Sequence, residues 1–369
     1  MTAASAEDRA LIRDSARGFL ADHATGAAVR RWMATDLGYD ADVWRQVAGE
    51  LGWPGVPMPE EHGGLGLGLA ETALLMEEMG AAVFCSPFFA TVCLAGTALR
   101  LGGSDVQKEE YLSAIALGEL TATLAAGEGD HGVTLTCKKN GGDFVLNGTK
   151  RFVVDGHSAG LVVAAANGAA GVSLFAVAGD DENLVRVVRP TLDQTRRLAD
   201  LTFVDVRVPA SALIGGEGQG GPILARTFDE AATALAAEQA GGARRCLELT
   251  VDYIKERVQF GRPIGSFQAI KHRCADMMVR VESALAAANA AALAGDAGDE
   301  DFPLYAAMAK AYCSEAYFAC AGEAIQLHGG VGFTWEYDPH LYFKRARASS
   351  ELLGNARFHR ERIASGLGL

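Results

Sequence analysis

Residues 256–277 read ERVQFGRPIGSFQAIKHRCADM. The stretch interrupts a helical pattern rather than continuing it. Before it, Phe228 to Val258 holds no proline and is rich in Ala, Leu and Glu, the composition of a long bundle helix. FGRPIGSF carries glycine and proline together and must break that helix. A second long helix is predicted beyond it, over about 267–295, closed by AALAGDAGDEDFP. A third, about 303–328, stops at Gly329-Gly330, because glycine takes the left-handed backbone that ends helices.

Toward the N-terminus the pattern changes. Between about 121 and 217 come short β-type runs broken by glycine, among them LTATLAA, GVTLTCKK, DFVLNGTKRFVV and VSLFAVAG. Residues 1–120 read helical again. Leu11, Ile12, Ala16, Phe19 and Leu20 recur at helical spacing, and Val43, Trp44, Val47, Leu51 and Trp53 suggest a second helix. GWPGVPMPEEHGGLGLG, residues 52–68, is loop; its glycines fit neither GxGxxG nor GxxxxGK[ST]. The order helices, strands, helices argues for an α+β fold rather than βαβ units. The expected domains are 1–120 (helical), 121–217 (β) and 218–369 (helical).

The chain has 369 residues, 49% hydrophobic and 21% charged, enough for a substantial core. Its formal net charge of −13 leaves no basic footprint for nucleic acid. Seven cysteines are scattered without a CxxC pair, which reads as free thiols in a reducing cytoplasm. No metal-ligand cluster stands out. The N-terminus is charged where a signal peptide needs an apolar stretch, and no run of about 18 uncharged apolar residues exists. A cytoplasmic protein without membrane insertion is expected.

Five stretches, in order, resemble the signatures of the acyl-CoA dehydrogenase family: residues 54–68, LNGTKRFVVDG (146–156), LTFVDVRVPASALIGGEGQG (201–220), residues 256–277, and AIQLHGGVGFTWEYD (324–338). The resemblance implies an N-terminal helical domain, a central β-barrel and a C-terminal four-helix bundle. It also implies FAD, an acyl-CoA thioester substrate and an electron-transfer acceptor protein. The expected assembly is a homo-oligomer, or a heterotetramer with a related subunit, in which neighbouring chains share each FAD.

The implied reaction removes two hydrogens across the Cα–Cβ bond beside a thioester. A desolvated carboxylate takes the α-proton, and the β-hydrogen leaves as hydride to the flavin. Arg257, Phe260 and Gln268 fall where the family contacts diphosphate and adenosine, and Gln326, Gly329 and Gly330 where the second half of that cradle lies. These residue types suit such a cradle, since Arg offers a fork of donors to phosphate and glycine permits close backbone approach.

The flavin-ring side matches less well. The loop before the barrel, AAGEGDHGV (125–133), is short, and only Glu128, Gly129 and Asp130 echo the family's pattern. Phe152 can stack on a flavin, but Val154 replaces a hydroxyl residue that bonds the ring in relatives. The usual catalytic base aligns with Leu353, and its alternative place, in the first bundle helix, with Ala231. Glu351 and Glu230 are the nearby carboxylates. Three functions are compatible with the resemblance: an FAD-dependent acyl-CoA dehydrogenase, a catalytically degenerate subunit that completes a partner's FAD site, or other flavin chemistry such as an oxidase or monooxygenase, which nothing in the sequence specifically favours.

Overall fold

The computed structural model describes residues 4–127 and 132–369. Helices α1 (Ala6–His23), α2 (Gly26–Met33), α3 (Ala41–Gly49) and α4 (Leu69–Ala81) open the chain. Ser5 starts α1 through a reciprocal capping box with Asp8. A π-helical stretch, Phe89–Gly96, runs into α5 (Thr97–Gly102); α6 (Asp105–Gln107) and α7 (Ser113–Ala116) flank a second one.

Strands then take over: β1 (Ala122–Ala125), β2 (Thr136–Asn140), β3 (Asp143–Val154), β4 (Leu161–Gly168), β5 (Gly171–Ala178), β6 (Leu184–Arg189), β7 (Leu198–Pro209) and β8 (Leu213–Ile214). They form one mixed sheet in the order β6-β7-β3-β2-β4-β5-β8, with β1 joined parallel to β4. The path ends at β6 and β8, which do not pair with each other. The sheet is therefore open, and the closed barrel expected from the resemblance is not confirmed. The terminal strand β8 has only two residues, too few to carry a closing ladder. Alternating residues of β3, β4, β5 and β7, including Phe144, Leu146, Phe175, Leu201 and Phe203, fill the core on one face.

The C-terminal part is helical: α8 (Gly220–Glu256), a hairpin of β9 (Val258–Gln259) and β10 (Arg262–Pro263), α9 (Gln268–Ala297), α10 (Phe302–His328), α11 (Pro339–Glu351) and α12 (Ala356–Gly366). The chain divides into two compact units. One holds residues 32–68 and 85–231, with the sheet; the other holds 4–31, 69–84 and 232–369. In the second, Met277, Val281, Tyr317, Cys320, Ala324 and Tyr342 build the core. Helix α4 belongs here because Gly80 and Gly241 let two backbones touch. A Cβ on Gly80 would lie 2.0 Å from the Glu238 carbonyl oxygen, and one on Gly241 1.8 Å from that of Glu77. Helix α9 is long and apolar enough to cross a membrane by length and composition, and one-third of its most apolar stretch is buried.

Candidate active site

At the end of α8 the chain reverses through β9 and β10, with Gln259 paired to Arg262. The two turn residues, Phe260 and Gly261, both take positive φ, 54° and 75°. That is a type I′ turn, which favours Asn, Asp or Gly. A phenylalanine there costs about 1 kcal/mol or more. No burial offsets the cost, because Phe260 is 92% exposed. Its ring meets Phe267 edge-on at 6.1 Å, and the Arg262 guanidinium lies 4.0 Å over the same Phe267 ring. Phe267 leads into α9, which starts at Gln268 with no side-chain cap and no acidic residue in its first turn. That helix end suits an anion. Arg257 and Gln268 are exposed, and their side chains bond to nothing among the described residues.

Gln326, Gly329 and Gly330 lie exposed where α10 ends. A Cβ on either glycine would meet no atom within 4 Å, and Gly329 has φ 66°. The positive φ calls for glycine at Gly329 whatever the space, and the open space over Gly330 leaves room for close approach of another molecule. The structure brings this segment to the hairpin through rings. His328 stacks on Tyr253 at 4.3 Å, one turn before Arg257, and Tyr337 meets Tyr253 edge-on at 5.9 Å. Arg30 fixes the far side, donating to Asp338 (2.6 Å) and to the Tyr337 carbonyl (2.8 Å). Sequence reasoning thus found the exposed donors but missed Arg262 and the ring stack that place them.

In the sheet-bearing unit, Phe152 occupies a bulge where β3 shifts register against β7 between Lys150 and Val153. It too is left-handed (φ 54°) and 55% exposed. Its backbone N–H donates to Asp200 at 3.2 Å. The Arg189 guanidinium, with that amide, holds the Asp200 carboxyl below its ordinary range. Val154 is buried, and its carbonyl accepts from the Thr123 hydroxyl at 2.5 Å. Glu128, Gly129 and Asp130 lie outside the described residues.

Of the two candidate bases, Glu230 is buried and both its oxygens are engaged. Arg226 Nε holds one at 2.8 Å and Arg100 holds the other. Ala231 beside it is fully buried. Glu351 is exposed at the last residue of α11, paired with Arg347 at 3.0 Å.

Leu353, at the usual base position, lies in the short turn between α11 and α12. It is left-handed (φ 57°), and Gly354 follows with φ 95°. Asn355 caps α12 by accepting from the Phe358 N–H at 3.1 Å. Two buried side chains grip the turn's carbonyls. Lys310 Nζ donates to Gly354 (3.2 Å) and Ser350 (3.4 Å), and His359 Nε2 donates to Leu353 (3.0 Å). Lys310 also donates to Ser314 Oγ at 2.9 Å; Ser314 donates to Gln239, whose amide donates to Ser349. Burial pushes the Lys310 amine down to about 8 and, with the Lys310 charge nearby, the His359 ring down to about 4. Sequence reasoning missed Lys310. Its signal was a charged residue on the stripe of Ala306, Cys313 and Tyr317, which is the buried face of α10.

Family profiles match most of the chain: "Acyl-CoA dehydrogenase, N-terminal domain" over residues 6–119 and "Acyl-CoA dehydrogenase, C-terminal domain" over 218–368. The chain belongs to the acyl-CoA dehydrogenase family. It is 37% identical to the acyl-CoA dehydrogenase IpdE2 of Mycolicibacterium smegmatis over 97% of this chain and 98% of that one. Among solved structures, the Tcur3481-Tcur3483 steroid ACAD variant superposes with TM-score 0.90 at 31% identity, covering 98% of each chain. The ChsE4-ChsE5 complex of Mycobacterium tuberculosis gives TM-score 0.92 at 25% identity, covering all of this chain and 99% of that one. Membership makes this chain an FAD-dependent oxidoreductase that dehydrogenates an acyl-CoA thioester. These comparisons favour the dehydrogenase over the degenerate subunit.

Proposed function

We propose that this chain dehydrogenates a bulky acyl-CoA, of the steroid-derived kind, within an assembly whose chains complete one another's FAD sites. The observation that carries the shared site is the hairpin. A strained, 92% exposed Phe260 beside Arg257 and Gln268, whose side chains bond to nothing among the described residues, fits the diphosphate and adenosine of a flavin whose ring lies in a neighbouring chain. Gln326, Gly329 and Gly330 complete the cradle, and Phe152 faces the ring in its own unit. When bound, FAD takes the β-hydrogen of the thioester as hydride. Helix α9 supplies apolar surface for assembly, since Met278, Val279 and Leu293 are exposed on it. The bulky acyl group rests on the similarity to a steroid ACAD. Electrons leave to a separate acceptor protein, and a cytoplasmic location suits that exchange.

The test is to purify the chain, measure flavin per protomer by absorbance, and add butyryl-, octanoyl- and cholyl-CoA without oxygen. Full occupancy with bleaching by cholyl-CoA supports the proposal. Full occupancy without bleaching by any of the three overturns it. Glu230→Gln and Glu351→Gln then identify the base, since removing a proton-transfer group costs about 10²- to 10⁴-fold.

A second reading draws on the base positions. Both oxygens of Glu230 are held by arginines, Glu351 stands in water, and Leu353 and Ala231 are apolar. Neither carboxylate is the desolvated, unpaired group that α-proton abstraction asks for. In that reading the chain completes the FAD site of a related subunit that carries the base. It is then colourless alone and gains about one flavin per pair of chains when mixed with that subunit.

A further inference from the structure

Neither α-proton abstraction nor hydride transfer has a use for Lys310, yet the chain buries this amine completely. Its three donors meet three neutral oxygens: Ser314 Oγ at 2.9 Å, the Gly354 carbonyl at 3.2 Å and the Ser350 carbonyl at 3.4 Å. Among the described residues no carboxylate bonds to it; Glu351, whose charge acts on it, is itself exposed and paired with Arg347. Burying an ammonium without a bonded counter-ion is costly, and a methionine would fill the same space without that cost. The amine is therefore present for what it binds. Two of its three partners are backbone carbonyls on either side of Leu353. One of them, Ser350, belongs to the last turn of α11, where a cation opposes the negative end of the helix dipole. Leu353 bears the strain of left-handed backbone, and such strain persists only where the surroundings over-determine it. Lys310 from α10 and His359 from α12 are the groups that do so.

We infer that Lys310 is a positioning residue: its ammonium sets the backbone of the 350–355 turn, and so the placement of the candidate base Glu351, which that turn carries. This rests on the acyl-CoA dehydrogenase reading, in which Glu351 is one of the two candidate bases. A displacement of about 1 Å at such a position is worth about 10²-fold in rate, while distant binding contacts are unaffected.

The experiment compares wild type with Lys310→Met as flavin-loaded assemblies. Two readouts are taken: steady-state turnover of cholyl-CoA, and hydrogen exchange of the backbone amides in 352–358. The variant is expected to keep wild-type flavin content and a KM within about twofold, to lose at least about tenfold in kcat, and to exchange the turn amides at least about tenfold faster. Unchanged kcat with unchanged exchange overturns the proposal, and so does a loss confined to KM. Should Lys310→Met fail to fold, Ser314→Ala keeps the charge and removes one anchor. It should lower kcat by about two- to fivefold with faster exchange, and wild-type behaviour in it overturns the proposal. If wild-type protein turns over no thioester, the functional reading has failed instead, and the exchange comparison alone decides whether Lys310 sets the turn.

Discussion

Among the turns of the helical unit that put a bulky residue into left-handed backbone, those at Leu353 and Phe260 are supported in opposite ways. At Leu353 the support is inside the chain: Lys310 and His359 hold three carbonyls of the turn, and both are buried. At Phe260 the described residues supply a type I′ hairpin and an edge contact with Phe267. The first turn is complete in one chain. The second keeps its strain in water, beside donors that bond to nothing among the described residues, and so fits a surface that a second molecule finishes. Left-handed backbone at a large residue persists only where something over-determines it. Where its support comes from separates a site built within the chain from one built between chains.

The largest effect should come from removing the charge at the incomplete turn. Arg257→Ala should fold and assemble as wild type, because the side chain is exposed, but should weaken flavin binding. Losing a charge-assisted bond to phosphate is worth about 1.5–3 kcal/mol, or roughly 10- to 100-fold in Kd. Flavin content after gel filtration checks this, and unchanged content would place the diphosphate elsewhere.

The completed turn should respond to pH instead. The Lys310 amine titrates near 8 in the folded chain and near 10.5 when unfolded. Below pH 8 both states hold the proton. Between 8 and 10.5 only the unfolded chain holds it, so this group makes stability rise with pH there. Wild type should therefore gain on Lys310→Met between pH 7.5 and 10, by on the order of 3 kcal/mol at most. Denaturant midpoints at the two pH values measure it, and a constant difference would show an ordinary lysine. His359 acts in the acid range. Its folded value of about 4 against 6.5 unfolded removes stability as pH falls from 6.5 toward 4, and His359→Gln should flatten that loss.

The smallest effect separates strain from function. Phe260→Asn suits the type I′ turn and gives up little packing, so it should raise stability by about 0.5–1 kcal/mol while lowering flavin content. A destabilised variant would mean that Phe260 is held by packing within the chain.

The long helices were legible because their apolar spacing and their Gly and Pro stops are local signals. The predicted helices over about 267–295 and 303–328 appear as α9 and α10, within a few residues. The hairpin after α8 was legible only as a break, since a Phe-Gly turn carries none of the usual hairpin chemistry in its first residue. The openness of the sheet depends on the two-residue strand β8, a pairing that no local pattern announces. The exposed donors of the candidate site could be counted from motif positions. The partners of Glu230 could not: Arg100 is 130 residues away in sequence. Leu353 was visible as an apolar residue where a base was expected, whereas the clamp beneath it needed α10, α11 and α12 brought together.

The most direct test of a site finished between chains is one dilution series followed by sedimentation and by flavin fluorescence. Bound flavin should be released in step with the conversion of assemblies to monomers, because the monomer lacks the neighbour's Arg257, Phe260 and Gln326. A stable monomer that keeps its flavin at wild-type occupancy would contradict the account.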